Sequence, residues 1–311
     1  MTDKKLLVTG GCGFIGSSLI DYLIDACGYK IRVIDDLSLG SMDSVSGLDI
    51  EFIEGDILDD KALCRSLENV DAVIHLAAHT RVVESMEDPE NNFKTNVIGT
   101  FKLLASCRKF GIRNIINAST GGAILGEAPP PINEDMVARP MAPYGASKLS
   151  AEGYCSAFNH SYNMNATSLR FSNVYGPRSF HKGSVVAHFF KEIIHGNQLV
   201  VYGDGSQTRD FVFIEDLCKG IIQALETENP GVYQLGSGTP TSVNELIRLI
   251  RQIVGDKNSF DVVYQPPRQG EITHTWTDIT RARNDLGYHP SIELAEGLER
   301  TWKWFLDYYG Q

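Results

Sequence analysis

The sequence predicts an α/β protein: a doubly wound parallel sheet followed by a smaller mixed α/β lobe. Three observations carry this reading. Short, continuously apolar runs alternate with segments of helical spacing through the first half of the chain. The first run ends in a cluster of glycines that opens a helix. Beyond about residue 176 the alternation breaks up, and Gly, Pro and aromatic residues become frequent. Strands buried on both faces lose the in–out alternation of a half-exposed strand, and helices between such strands place them parallel.

Taken in order, residues 5–9 (KLLVT) read as the first strand, and residues 16–27 carry apolar side chains at helical spacing, among them Leu19, Ile20, Leu23 and Ile24. Strands follow at 31–34, 52–54 and 71–76, then a long helix at 92–110 and a strand at 112–118. A helix at 144–162 and a strand at 165–171 complete the alternation. In the second part, helices are expected at 185–195, 216–225, 243–254, 279–286 and 294–309. The chain therefore divides into a nucleotide-binding unit at 1–176, rejoined near 210–236, and a substrate-binding lobe at 177–209 and 237–311. Neither an internal repeat nor a low-complexity tract interrupts it.

Composition sets limits. With 311 residues, 42% apolar, the chain can bury a sizeable core without staples. A net charge of −11 argues against a general nucleic-acid binder, which carries a basic face. The six cysteines form no C-x-x-C pair and no zinc-spaced cluster, so no metal site is expected and a reducing compartment is. A strand-like run follows the first few residues, and no apolar stretch approaches the ~20 residues of a membrane span, so the expectation is a cytoplasmic protein with no membrane partner.

Gly10-Gly11-Cys12-Gly13-Phe14-Ile15-Gly16 follows a strand and opens a helix, and it fits both G-x-G-x-x-G and G-x-x-G-x-x-G. Glycines there allow a tight turn, close approach of a pyrophosphate to the backbone, and close helix–strand packing. Asp35 stands at the end of the next strand, where a carboxylate accepts from ribose hydroxyls and repels a 2′-phosphate. The expected cofactor is NAD, and the fold is Rossmann-type. Asp36 is the alternative if the strand register is one residue off.

Tyr144-Gly-Ala-Ser-Lys148 puts a phenol and an ammonium four residues apart at a helix start, on one face. An ammonium near a phenol favours the phenolate, which suits the tyrosine to take a proton from a sugar hydroxyl. The strand ending in Ala118-Ser119-Thr120 adds hydroxyls.

With these motifs the chain resembles the extended short-chain dehydrogenase/reductase family, in its NAD-dependent epimerase/dehydratase group. The resemblance runs almost end to end. It includes GGCGFIGS at 10–17, GDI at 55–57, HLAA at 75–78, TNVIGT at 95–100 and ASTGGAILGE at 118–127. It continues through PYGASK at 143–148, LRFSNVYGPR at 169–178, YGDGSQTRDFVFIEDL at 202–217 and PPRQGE at 266–271. It implies that Tyr144 is the acid and base, that Lys148 tunes it and binds the nicotinamide ribose, and that Thr120 bonds the reacting hydroxyl with help from Ser119. Around NAD it places the Gly10–Gly16 loop with Phe14 and Ile15, Asp56 and Ile57 beside the adenine, Leu76-Ala77-Ala78, and Asn96. For the substrate it implies Asn173, Arg209 and Arg268 at the diphosphate, Glu271 at the nucleotide ribose, and Val200 and Tyr202 at the uracil.

Related dehydratases carry acidic residues directly after the catalytic Ser/Thr, because elimination of water needs an acid and a base there. Here Gly121-Gly122-Ala123 follow Thr120, and the next carboxylate is Glu127. The string resembles 4-epimerases, with Ile124-Leu125-Gly126 where relatives usually show I-Y-G. The implied reaction removes the 4-hydroxyl proton and the carbon-4 hydride, turns the 4-keto sugar about its diphosphate, and returns both to the other face. Alignment puts Thr275 where a bulky tyrosine would exclude an N-acetyl group, so interconversion of UDP-GlcNAc and UDP-GalNAc is expected first, with UDP-glucose and UDP-galactose also admissible. A UDP-glucuronate 4-epimerase is the nearest rival, with Arg178, His181 or Lys182 as the extra cation. A non-catalytic NAD(H)-binding regulator is the alternative of another class. By resemblance, the helices at 92–110 and 144–162 pair into a four-helix bundle in a homodimer.

Overall fold

In the computed structural model, which describes residues 4–267 and 272–310, a parallel sheet of seven strands forms the centre. The elements of its first half are β1 (Lys5–Thr9), α1 (Phe14–Cys27), β2 (Lys30–Asp35), β3 (Ile50–Glu54), α2 (Asp60–Leu67), β4 (Ala72–His75), α3 (Val82–Glu87) and α4 (Pro89–Phe93). Then come α5 (Thr100–Phe110), β5 (Asn114–Thr120), α6 (Gly122–Leu125), α7 (Pro143–Tyr162) and β6 (Asn165–Phe171). The second half holds β7 (Asn173–Tyr175), α8 (Val185–Ile194), β8 (Leu199–Tyr202), β9 (Thr208–Phe213), α9 (Ile214–Thr227) and β10 (Val232–Leu235). It ends with β11 (Pro240–Ser242), α10 (Val243–Val254), β12 (Val262–Gln265), α11 (Thr280–Leu286) and α12 (Leu294–Tyr309).

The strand order is β3-β2-β1-β4-β5-β6-β10, the Rossmann-type order expected from the sequence. Chain direction across the sheet reverses between β1 and β4, and the crevice outside their C-terminal ends is where such sheets bind ligands. Successive strand residues face opposite layers. Leu6 and Val8 pack with Leu19, Ile20, Leu217 and Ile221 on the α1/α9 side. Leu7 packs with Leu63, Leu103 and Phe158 on the α2/α5/α7 side. Each such side chain contributes about 1.5–3 kcal/mol by leaving water, which is why both layers must be apolar.

Two boundaries matter for the site. The strand expected at 112–118 runs from Asn114 to Thr120, so the hydroxyl residues lie within it. The single helix expected at 92–110 is three segments, with a π turn at Lys94–Gly99 between α4 and α5. Helical periodicity cannot reveal that insertion, because apolar spacing on either side is unchanged in kind.

The second lobe has a three-stranded sheet, β11-β9-β7, and a two-stranded one, β12-β8. Asp210 on β9 knits it together. Its carboxylate is 1% exposed and accepts from the backbone N–H of Ser237 (2.7 Å), Gly238 (3.2 Å) and Thr277 (3.1 Å), and from the hydroxyls of Ser237 and Thr277. β10 returns to the edge of the central sheet beside β6. No helix among the described residues is long and apolar enough to cross a membrane.

Candidate active site

The glycine loop joins β1 to α1 at the switch point. Gly10, at φ +70°, lies against the chain after β4: a Cβ on it would stand 2.7 Å from Ala77 N. A Cβ on Gly16 would meet the carbonyl of Gly10 and lie 2.6 Å from Gly11 Cα, so only glycine lets α1 start this close to the loop. Gly13 is the N-cap and brings no side-chain cap, which leaves the first N–H groups of α1, at Phe14 and Ile15, without a capping side chain at the switch point. Leu76 N donates to Thr9 O (3.1 Å) and Ala77 N to Thr9 Oγ1 (3.2 Å), fixing the opposite wall, with Ala78 following.

Asp35 closes one end. Its carboxylate is 8% exposed and accepts from Cys12 N (2.9 Å) and Leu37 N (2.8 Å). Burial pushes its pKa up, against those two N–H bonds. Asp36 is exposed and caps its own turn through Ser38 N and Oγ (3.0 and 2.6 Å). Of the two, Asp35 belongs to the loop. Asp56 lies past the end of the neighbouring β3, exposed and accepting from Leu58 N (2.8 Å), and Ile57 is 4% exposed under Gly99. A glycine cradle that a Cβ would fill, free helix N–H groups and a carboxylate at the end of β2 fit an NAD dinucleotide.

Tyr144 and Lys148 lie in the first turns of α7, which packs on β5 and β6, and both are buried. The Thr120 hydroxyl is hydrogen-bonded to the Tyr144 phenol. Ser119 faces the other way, as alternation along a strand requires, and donates to Glu152 Oε1 at 2.6 Å. The help expected from Ser119 is therefore not direct, because its hydroxyl is committed behind the strand. Lys148 Nζ donates to Ala118 O (2.9 Å). Burial pushes the Lys148 ammonium down to about 8, opposed by the nearby Glu152 carboxylate. Burial likewise pushes the Tyr144 phenol up to about 12, opposed by the Thr120 bond. The lowering of the phenol expected from Lys148 is not found here: burial raises it and only the Thr120 bond opposes, since removing the phenolate from water costs more than that bond returns.

Asn96, in the π turn, accepts from His79 N (2.9 Å) and donates to His79 O (2.9 Å) and Ser147 Oγ (3.0 Å). It thereby ties the loop after β4 to the helix carrying Tyr144. His75, 2% exposed, contacts Thr9 Oγ1 (2.8 Å) and Thr100 Oγ1 (2.9 Å), and burial pushes its pKa down to about 3. It is a neutral strut, and its role was not foreseen from sequence. Glu152 was also missed. Its signal is the i+4 position after Lys148, on the same helix face.

On the second lobe, Asn173 and Arg209 sit on adjacent strands β7 and β9. Asn173 Nδ2 donates to Asp210 O (3.2 Å), and Arg209 Nη1 donates to Thr208 O (2.9 Å) and Thr273 O (3.2 Å). A cleft of about 750 Å³ is lined by Tyr202, Gln207, Tyr264, Pro267 and Thr273. Val200 is on the same strand as Tyr202 but outside that lining. Thr275 Oγ1 would be 3.5 Å from a Cβ on Gly122, so it faces the second of the two glycines after Thr120. Arg268 and Glu271 lie outside the described residues.

Residues 6–236 match the model of the NAD dependent epimerase/dehydratase family. The chain is 38% identical over 306 residues to a putative UDP-glucose 4-epimerase of Methanocaldococcus jannaschii, covering 96% of this chain and 97% of that one. Its structure resembles a UDP-N-acetylglucosamine 4-epimerase from Methanobrevibacter ruminantium M1 in complex with UDP-N-acetylmuramic acid, with TM-score 0.93, 34% identity, and 99% and 100% of the two chains covered. It also resembles the UDP-glucose 4-epimerase of Thermotoga maritima with UDP-glucose, with TM-score 0.92, 37% identity, and 98% and 99% covered.

Proposed function

The chain belongs to the NAD dependent epimerase/dehydratase family, and from that premise we propose that it is a UDP-hexose 4-epimerase acting first on UDP-GlcNAc and UDP-GalNAc. The observation that carries the reading is the floor beside Thr120. Gly122 faces Thr275 there, Gly121 faces Gln234 and Ile132, and the sequence puts no carboxylate directly after Thr120 to drive elimination of water. Glu134, the buried acid in the loop after Glu127, is engaged with Gln234 N at 2.7 Å.

The geometry and the family resemblance support the following roles. Tyr144 exchanges a proton with the sugar 4-hydroxyl, which Thr120 orients through its bond to the phenol. Lys148 supplies positive charge beside it. Bound NAD supplies a hydride acceptor and donor and is regenerated in each turnover. Asn173 and Arg209, with Arg268, hold the diphosphate, Arg209 by its forked guanidinium. The base lies toward the Tyr202 cleft in this reading, and Glu271 takes the ribose by family resemblance. A sugar held only by its diphosphate can present either face to the same tyrosine.

Proton NMR of the purified protein with UDP-GlcNAc, UDP-glucose and UDP-glucuronate, without added NAD, is expected to show the 4-epimer of the N-acetyl sugar. Thr275→Tyr is expected to lower kcat/KM for that sugar about 10–100-fold and spare UDP-glucose. A 4-keto-6-deoxy product in place of the epimer rejects the reading. The second reading, a UDP-glucuronate 4-epimerase, is favoured by Lys182. This ammonium donates to Val174 O (2.8 Å), and burial pushes its pKa down to about 8. Arg178 is likewise engaged, with Ser17 O, Ser44 O and Asp21.

A homodimer is part of the proposal. Val83, Met86, Phe93, Phe101 and Tyr154, on the helices from α3 to α7, are each 39–58% exposed. Apolar side chains at that density mark an interface. Sedimentation is expected to give twice the 34.4 kDa chain mass, and Phe101→Glu to halve it. A wild-type monomer at micromolar concentration would remove this part of the reading.

A further inference from the structure

Behind the site, a charged cluster lies under the sheet with no direct part in the chemistry above. Glu152 and Arg170 are each about 5% exposed and form a two-point ion pair, with Nε to Oε1 at 2.9 Å and Nη2 to Oε2 at 2.8 Å. Glu152 Oε1 also accepts from Ser119 Oγ (2.6 Å), the residue before Thr120. One turn back on α7 stands Lys148, which Ala118 O holds from the same strand. The four side chains thus couple α7, β5 and β6 at the point where Thr120 meets Tyr144. A buried ion pair is a costly way to join helix to sheet, because apolar residues of the same volume would serve stability as well or better. Its presence calls for an electrostatic reason.

We propose that Glu152 and Arg170 are positioning residues for the Tyr144–Lys148 pair: the Glu152 carboxylate keeps the Lys148 ammonium charged, and Arg170 limits and orients that carboxylate while Ser119 transmits its position to Thr120. The titratable groups acting on Lys148 are Glu152 and Cys155 from α7 and His75 from β4; its ammonium donates to Ala118 O of β5, and Arg170 from β6 reaches it through Glu152. Among them only Glu152 is a carboxylate. His75 is held neutral, and the Cys155 thiol is pushed up to about 12, mainly by burial.

Two variants move the system in opposite directions. Glu152→Gln removes the negative charge and leaves Arg170 unpaired. The alkaline fall in kcat, set by loss of the Lys148 proton, then moves down by about one pH unit, a tenfold loss at mildly alkaline pH. Arg170→Met frees the carboxylate for Lys148 and moves the same limb up. Glu152→Asp, which keeps the charge, brings the limb back toward wild type. The inference rests on the epimerase reading only for its kinetic readout. [ε-13C]Lysine NMR of the NAD-loaded protein, with the Lys148 signal assigned by its loss in Lys148→Met, reads the same titration without substrate. If the proposal holds, the signal shifts down in Glu152→Gln and up in Arg170→Met, even if no sugar turns over. Lower melting temperatures with the Lys148 titration unmoved, or moved the same way in both variants, would show a purely structural pair and overturn the proposal.

Discussion

Replacing Tyr144 by Phe is expected to lower kcat on every sugar nucleotide about a thousandfold or more, with the fold and the bound NAD retained. The side chain is 9% exposed, on a helix that packs on β5, β6 and α3, so its ring keeps its place when the hydroxyl is removed. What the substitution removes is the phenol oxygen and its bond with Thr120. A positioned acid–base group contributes about 10²–10⁴ in rate, and here the same oxygen serves in both half-reactions, so the loss falls at the upper end. No donor or acceptor is stranded at high cost, because the Thr120 hydroxyl is only half-buried and can turn to water. The measurement is kcat beside the NAD content and melting temperature of the same preparation. A residual rate within tenfold of wild type would sink the assignment of Tyr144. Parallel loss of NAD or fold would instead assign the residue to the architecture.

The second large effect belongs to the glycine loop. In Gly16→Ala the new Cβ meets the carbonyl oxygen of Gly10 and stands 2.6 Å from Gly11 Cα and 2.8 Å from Gly11 O. These atoms are backbone in a tight turn, so relief requires α1 to move off the loop. The free N–H groups at its start move with it. The expected outcome is a loss of NAD affinity of about a hundredfold, with the 1–3 kcal/mol destabilisation usual for overpacking. Gly13→Ala separates the two effects. Its Cβ would meet only Gly10 O, at 3.5 Å, so melting should change little while NAD binding weakens wherever cofactor must approach the backbone. Titration with NAD, followed by calorimetry, compares them. Wild-type affinity in Gly16→Ala would mean that the loop does not hold the dinucleotide.

The sequence by itself determined the sheet, the glycine loop, the Tyr144–Lys148 spacing and the absence of an acid after Thr120. These are local properties. Apolar runs, turn glycines and i,i+4 spacing act within a few residues, so their consequences can be read along the chain. Only the tertiary structure decided between neighbours. Asp35 and not Asp36 meets the loop, because the last residue of β2 places its side chain toward Cys12 N. Thr120 and not Ser119 meets Tyr144, because strand alternation turns the two hydroxyls to opposite faces. The π turn that carries Asn96, the Glu152–Arg170 pair and the Asp210 knot join segments 17 to 67 residues apart. Such pairings are selected by how helices and strands pack once the sheet has formed, and no local pattern encodes which buried charge will find which partner.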